Sequence, residues 1–154
     1  MEMVKLILAC ALLPAAASAA GFTLSIGPPV AAGTGKKVTK TVGASFAVRL
    51  EECEALETAQ ISGTAEGLVD SARRSAPVAI VATGSPGVYV VSETEENPGV
   101  WVVNVNATCG KAKAGAIVAI GPQGFLREST KVLPRAATKA EIDSALKALE
   151  KPAK

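Results

Sequence analysis

The stretch NPGVWVVNVNATCG, residues 97–110, carries the chain's single tryptophan and, eight residues later, one of its three cysteines. Asn97-Pro98-Gly99 is a turn signal, and an alternating strand pattern follows it. Side chains of one parity are predicted to share the inward face: Trp101, Val103, Val105, Ala107 and Cys109. The opposite face takes Val100, Val102, Asn104, Asn106 and Thr108. The stretch is therefore predicted to be a core strand that ends on a cysteine.

The same period-two pattern recurs along the chain. The segments GFTLSI, ASFAVRLE, TAQISGTAEG, VAIVA, VYVVS and AIVAI alternate or are apolar, and turn residues separate them. No helical pattern intervenes before residue 138, so about seven strands in an antiparallel sandwich are predicted. The predicted core residues are Phe46, Val48, Leu50, Ile61, Val78, Ile80, Tyr89, Trp101, Val103, Val105 and Ile117.

The boundaries follow from composition. Residues 20–43 are predicted to hold an N-terminal strand and a Gly/Lys-rich loop, with a poor edge strand at 38–42, and 44–133 to form the β-sandwich. The polar segment DSARRSAP, residues 70–77, is predicted to be a loop. VAIVA, residues 78–82, is a continuous apolar run, which predicts a strand covered on both faces.

The tail has a different period. Thr138 and Glu141 fit a capping box, and Ile142 and Leu146 follow at helical spacing. An amphipathic helix over residues 138–150 is predicted. It either docks on the sandwich or binds a partner or a membrane surface.

The N-terminus resembles a targeting segment. Lys5 precedes the apolar run 6–13, and small residues follow Pro14. This run is too short to span a bilayer, so residues 1–19 are predicted to be a cleaved signal peptide of a periplasmic or secreted protein, with no transmembrane segment in the mature chain. The alternatives are an uncleaved anchor, a buried helix, and a lipid anchor on Cys10.

Export leaves two cysteines, Cys53 and Cys109, in an oxidising compartment, which predicts one disulfide. Two separate thiols are the alternative. The alternation places Cys53 with Arg49 and Glu51 rather than with the inward Leu50. A bridge therefore requires a bulge, or a strand that ends near Glu51.

The lack of histidine excludes several chemistries. With no histidine in the chain, Ser-His-Asp and Cys-His catalysis and imidazole metal sites are excluded. Both methionines precede residue 19, so the mature chain offers no thioether ligand for a metal ion. Taken with the lack of histidine, this leads to the prediction of no catalytic residue, no metal site and no cofactor. The net charge of +2 gives no reason to expect nucleic acid as a partner.

Three weaker patterns each have a non-functional and a functional interpretation. The acidic loop with Glu93, Glu95 and Glu96 fits a solvated loop or a calcium site. Arg73 and Arg74 are exposed, or grip an anion. The segment 106–108 matches a glycosylation sequon, a short pattern that often occurs by chance.

The segment 87–110 resembles a known hairpin. Its residues Gly87, Tyr89, Gly99, Trp101, Val103 and Val105 are similar to the G-x-Y…G-x-W-x-V-x-V pattern of extracytoplasmic immunoglobulin-like domains, such as the YtkA-like and copper-resistance-associated families. The resemblance implies a seven-stranded β-sandwich. It does not imply copper, because the His and Met ligands of such families are missing.

These observations predict an exported, non-catalytic accessory or binding module whose partner is an unidentified protein or envelope component. One alternative is a structural or assembly component of the cell envelope that docks through the tail helix or the edge strands. Another is a carboxylate-based hydrolase.

Overall fold

The structure, a computed structural model, describes residues 22–28, 44–93, 100–121 and 124–150. The predicted signal peptide and the edge strand at 38–42 lie outside these residues. Within them the chain forms eight strands and one α-helix: β1 Thr23–Gly27, β2 Ala44–Glu51, β3 Gln60–Val69, β4 Ala72–Ala82, β5 Val88–Glu93, β6 Val100–Cys109, β7 Ala112–Gly121, β8 Gly124–Leu133 and α1 Lys139–Glu150.

The strands form one antiparallel sheet in the order β1-β2-β5-β4-β3-β6-β7-β8. β4 joins its two halves, because residues 72–77 pair with β3 and residues 78–82 pair with β5. The sheet curves until β1 approaches β7 and β8, which makes it nearly barrel-shaped. The resemblance implies that β5 and β6 form a hairpin, but β4 and β3 lie between them.

The interior of the curved sheet holds most of the core. Of the residues predicted for it, Phe46, Val48, Leu50, Trp101, Val103 and Val105 are buried. Ile61, Val78, Ile80 and Tyr89 are half-buried and pack against this cluster. Ile117 is also buried but belongs to a second cluster on the outward face of the sheet. The alternation that aims Val103 and Val105 inward aims Val102 outward, where it too is fully buried.

Helix α1 covers the second cluster, on the outward face of the sheet. Ile142 and Leu146 are buried against Val102, Ile117 and Ala119 on the outward face of β6 and β7. Burying two such side chains contributes about 1.5–3 kcal/mol each. The tail helix is therefore docked on the sheet through its apolar side.

Two sequence-based predictions about β4 are wrong. Residues 70–77 are not a loop, since only Asp70 and Ser71 turn the chain and β4 begins at Ala72. Both sides of this part of β4 carry exposed residues, so its polar composition reflects solvation rather than irregular structure. VAIVA is covered on one face only, because Val81 is 45% exposed.

β8 is an eighth strand that the sequence did not predict. Its pairing with β7 shifts register between Ile117 and Ala119. Across this irregularity the Thr130 hydroxyl donates to the Leu126 carbonyl at 2.8 Å. Such a bulge interrupts the alternation from which a strand is predicted.

The predicted disulfide is present. Cys53 and Cys109 are bonded, with their Cα atoms 5.8 Å apart. β2 ends at Glu51, and Glu52 adopts a left-handed backbone with φ 59°. This one residue turns the chain so that Cys53 reaches the inward face where Cys109 lies, which is the bend that the parity of the sequence requires.

The β3–β4 turn offers a stabilising substitution. Asp70 and Ser71 have φ of 50° and 65°, a conformation that Asn-Gly adopts with less strain. We expect the double variant Asp70→Asn/Ser71→Gly to raise stability by about 1 kcal/mol, roughly 2–4 °C in Tm. Thermal unfolding followed by circular dichroism measures it, and an unchanged or lower Tm would contradict the strained turn.

Candidate binding surface on the outward face of β3 and β6

Four neutral polar side chains meet on the outward face of the sheet. Gln60 and Ser62 on β3 lie opposite Thr108 and Asn106 on β6. With Ile61 they line an open groove of ≈ 380 Å³. Neighbours along a strand on one face are about 7 Å apart, and strands are about 4.8 Å apart. We call these four side chains the polar square.

Strand alternation places the polar square. Ile61 and Ala107 point into the core between its members, and both belong to the interior cluster. Because the period is two, the flanking residues must point outward. Helix α1 covers the same face further along β6, at Val102, and the polar square lies toward the end of β6 that carries Cys109.

The hydrogen-bonding capacity of the polar square is not used within the described part of the protein. The buried amide oxygen of Asn106 accepts no hydrogen bond there, and neither does that of its neighbour Asn104. A half-turn of the side-chain amide exchanges oxygen and nitrogen, so either atom can face the groove. An unpartnered buried oxygen costs about 1–3 kcal/mol. Whichever of the two atoms lies inward has no partner within the described residues, and the other is the one that Asn106 can present to the groove.

The charges nearest to the square lie outside it, on β7 and further along β3. Lys113 lies opposite Thr108 on the β7 side. Glu66, further along β3, accepts hydrogen bonds from Thr64, Arg73 and Ser75. The four side chains of the square can therefore offer neutral donors and acceptors, beside the ammonium group of Lys113.

The arginines at the β3–β4 hairpin have different surroundings. Arg73 contacts Glu66 through Nε at 3.4 Å and pairs with Asp143 of α1 through Nη1. It thus ties the helix to the hairpin and is engaged by two carboxylates rather than open to an anion. Arg74 is exposed.

The start of α1 has the predicted capping box. The Glu141 N–H donates to Thr138 Oγ1 at 3.2 Å, and the Thr138 N–H donates to Glu141 Oε2 at 2.8 Å. Arg135 adds two hydrogen bonds to the same carboxylate, at 2.6 and 2.9 Å. The Arg135 hydrogen bond, followed by that from the Thr138 backbone, lowers the pKa of Glu141 to about 2.

This cap has a defined pH dependence. Because the pKa of Glu141 is depressed in the folded state, its stabilisation is present above the ordinary value of 4.5 and is lost as the pH falls toward 2. We expect Glu141→Gln to lower Tm at neutral pH and the difference from the parent protein to vanish near pH 2. Glu150→Gln, at the other end of α1, is the control. A difference that persists unchanged into acid would contradict the cap.

The other candidate sites are only partly described. Glu93 ends β5, whereas Glu95 and Glu96 lie outside the described residues. Within the described ranges, no group of three or more His, Cys, Asp or Glu side chains is arranged to hold a metal ion. In the same ranges, no helix is long and apolar enough to cross a membrane.

Comparison with known proteins gives no relative. No protein-family model, no curated protein and no solved structure matches the chain.

Proposed function

We propose that this protein is an exported, non-catalytic binding module whose partner contacts the polar square. The observation that carries the proposal is the meeting of Gln60, Ser62, Asn106 and Thr108 around one groove. Uncharged amide and hydroxyl groups recognise a partner through matched hydrogen bonds. The partner surface is therefore neutral and rich in donors and acceptors.

The other docking modes have less support. The apolar residues Ile142 and Leu146 of α1 are buried on the sheet, so this helix presents its polar side outward. β8, at one end of the strand order, carries the exposed charges of Arg127, Glu128 and Lys131. Charged side chains on an edge strand discourage strand addition. A role in envelope assembly is consistent with the proposal if docking occurs through the polar square.

Export and an immunoglobulin-like relationship belong to the same proposal. The signal-peptide pattern of residues 1–19 supports export, and the Cys53–Cys109 disulfide supports an oxidising compartment. The antiparallel sheet supports the immunoglobulin-like relationship. The separation of β5 and β6 in the sheet order restricts that resemblance to the pattern of individual strands.

A capture experiment tests the function. Immobilised protein is exposed to the envelope and culture fractions of the source cells, in parallel with Ser62→Lys/Thr108→Lys, which introduces charge into the groove. The control is Ser129→Lys/Ser144→Lys, at exposed serines on β8 and α1. We expect a component retained by the parent and the control to be lost from the groove variant. Equal retention by all three, or no retained component, would contradict the proposal.

A further inference from the structure

The Cys53–Cys109 disulfide forms part of the wall of an open pocket. Cys109 is 9% exposed and Cys53 is half-buried. Both cysteines line a cavity of ≈ 610 Å³ with Phe22, Ala55, Gly110 and Ala112. A structural disulfide deep in a core is shielded from other thiols, whereas this one borders solvent. Access is one of the conditions for thiol–disulfide exchange.

The backbone at this end of the sheet is strained. Glu52 has φ 59°, in the left-handed region that non-glycine side chains disfavour. The interval from Glu51, the last residue of β2, to Cys53 contains only this residue. Breaking the disulfide would remove the constraint that holds Glu52 there. Strained conformations of this kind are concentrated at functional sites.

The charge around the pocket is predominantly negative. Glu52 and Glu54 line it. Glu51 precedes them in the chain, and Lys111, next to Gly110 in the β6–β7 turn, offsets part of the charge. The acidic residues around the pocket (the acidic rim) repel a thiolate that is surrounded by acidic residues. They attract a thiolate that is surrounded by basic residues.

We propose that Cys53–Cys109 is a thiol-exchange site whose partner is a dithiol oxidoreductase with positive charge around its reactive cysteine. The partner's thiolate attacks the Sγ of Cys53, the more exposed of the two residues, and forms a mixed disulfide. The Cys53–Cys109 bond breaks, and Cys109 leaves as a thiolate that takes up a proton. The partner's second thiolate attacks the mixed disulfide and releases Cys53, which is protonated in turn. Two electrons pass to this chain, and the partner becomes the disulfide.

Small thiols of different charge test this on the folded, full chain. The probes are cysteamine (cationic), 2-mercaptoethanol (neutral) and 3-mercaptopropionate (anionic), each normalised to its rate with a small neutral disulfide. Released thiols are alkylated and counted by mass spectrometry. We expect reduction without denaturant at a rate that low urea leaves unchanged, with cysteamine roughly tenfold faster than 3-mercaptopropionate at low ionic strength.

Matched variants isolate the acidic rim. Glu52→Gln/Glu54→Gln is expected to lower the cysteamine-to-mercaptopropionate ratio at least twofold, and Glu128→Gln/Glu150→Gln, on β8 and α1, to leave it unchanged. Reduction that requires urea, or accelerates with it from the start, would show that the bond opens only on unfolding and would overturn the proposal. Equal normalised rates for the three thiols would overturn the inferred charge of the partner.

Discussion

Removing the disulfide is expected to lower the free energy of unfolding by about 4 kcal/mol, the chain-entropy value for a loop of this size. The bond joins residues 56 apart in sequence and ties the end of β2 to the end of β6. Domains of this size are stable by about 5–15 kcal/mol, so the loss is a large fraction of the total. The variant is Cys53→Ala/Cys109→Ala, because alanine leaves no unpaired hydroxyl beside the core.

Urea unfolding at equilibrium measures this loss, with non-reduced and reduced parent protein beside the variant. Release of strain at Glu52 offsets part of the effect. The reduced parent and the variant are expected to agree closely. A loss below about 1 kcal/mol would contradict the view that this bond holds the two halves of the sheet together.

Trp101→Ala is expected to cost about 3–5 kcal/mol, as truncation of a buried aromatic side chain does. Trp101 is 7% exposed. Its ring lies over Gly67 of the neighbouring strand β3, so closely that a Cβ at residue 67 would lie 2.5 Å from a ring atom. Glycine at this position is therefore required by the ring and not by a backbone angle.

The tryptophan–glycine contact predicts strong coupling. Gly67→Ala is expected to cost about 1–3 kcal/mol in the parent protein, since the rigid ring must shift. In the Trp101→Ala background the same change is expected to cost nothing or to stabilise, because alanine suits a strand interior better than glycine. A double-mutant cycle from urea unfolding measures the coupling. Additive effects would show that the two residues do not constrain each other.

The sequence predicts which face of a strand a residue occupies, but not what packs against that face. The alternation of β6 correctly gives the two faces of the strand and leads to the disulfide, because parity is a local property of the chain. Parity does not reveal what covers a face. Val102 and Ile117 are buried on the outward side because α1 packs there. The sequence around either residue does not predict this contact with the helix.

The candidate site was only half predictable. Alternation in the segment TAQISGTAEG places Gln60 and Ser62 on the face opposite Ile61, and alternation in β6 places Asn106 and Thr108 on the face opposite Ala107. It does not reveal that β3 and β6 are neighbours, since 30 or more residues separate the two strands in sequence. Pairing between distant strands depends on the whole sheet, and so does the polar square.

The most direct test of the proposed binding surface is a map of changes in backbone amide chemical shift. The component that the immobilised protein captures from the envelope or culture fraction is added to isotope-labelled protein. If the polar square is the binding surface, the largest changes will fall in residues 60–64 and 104–108. Residues 139–150 of α1 and 124–133 of β8 will change little. Changes concentrated in α1 or β8, with the polar square unaffected, would contradict the account.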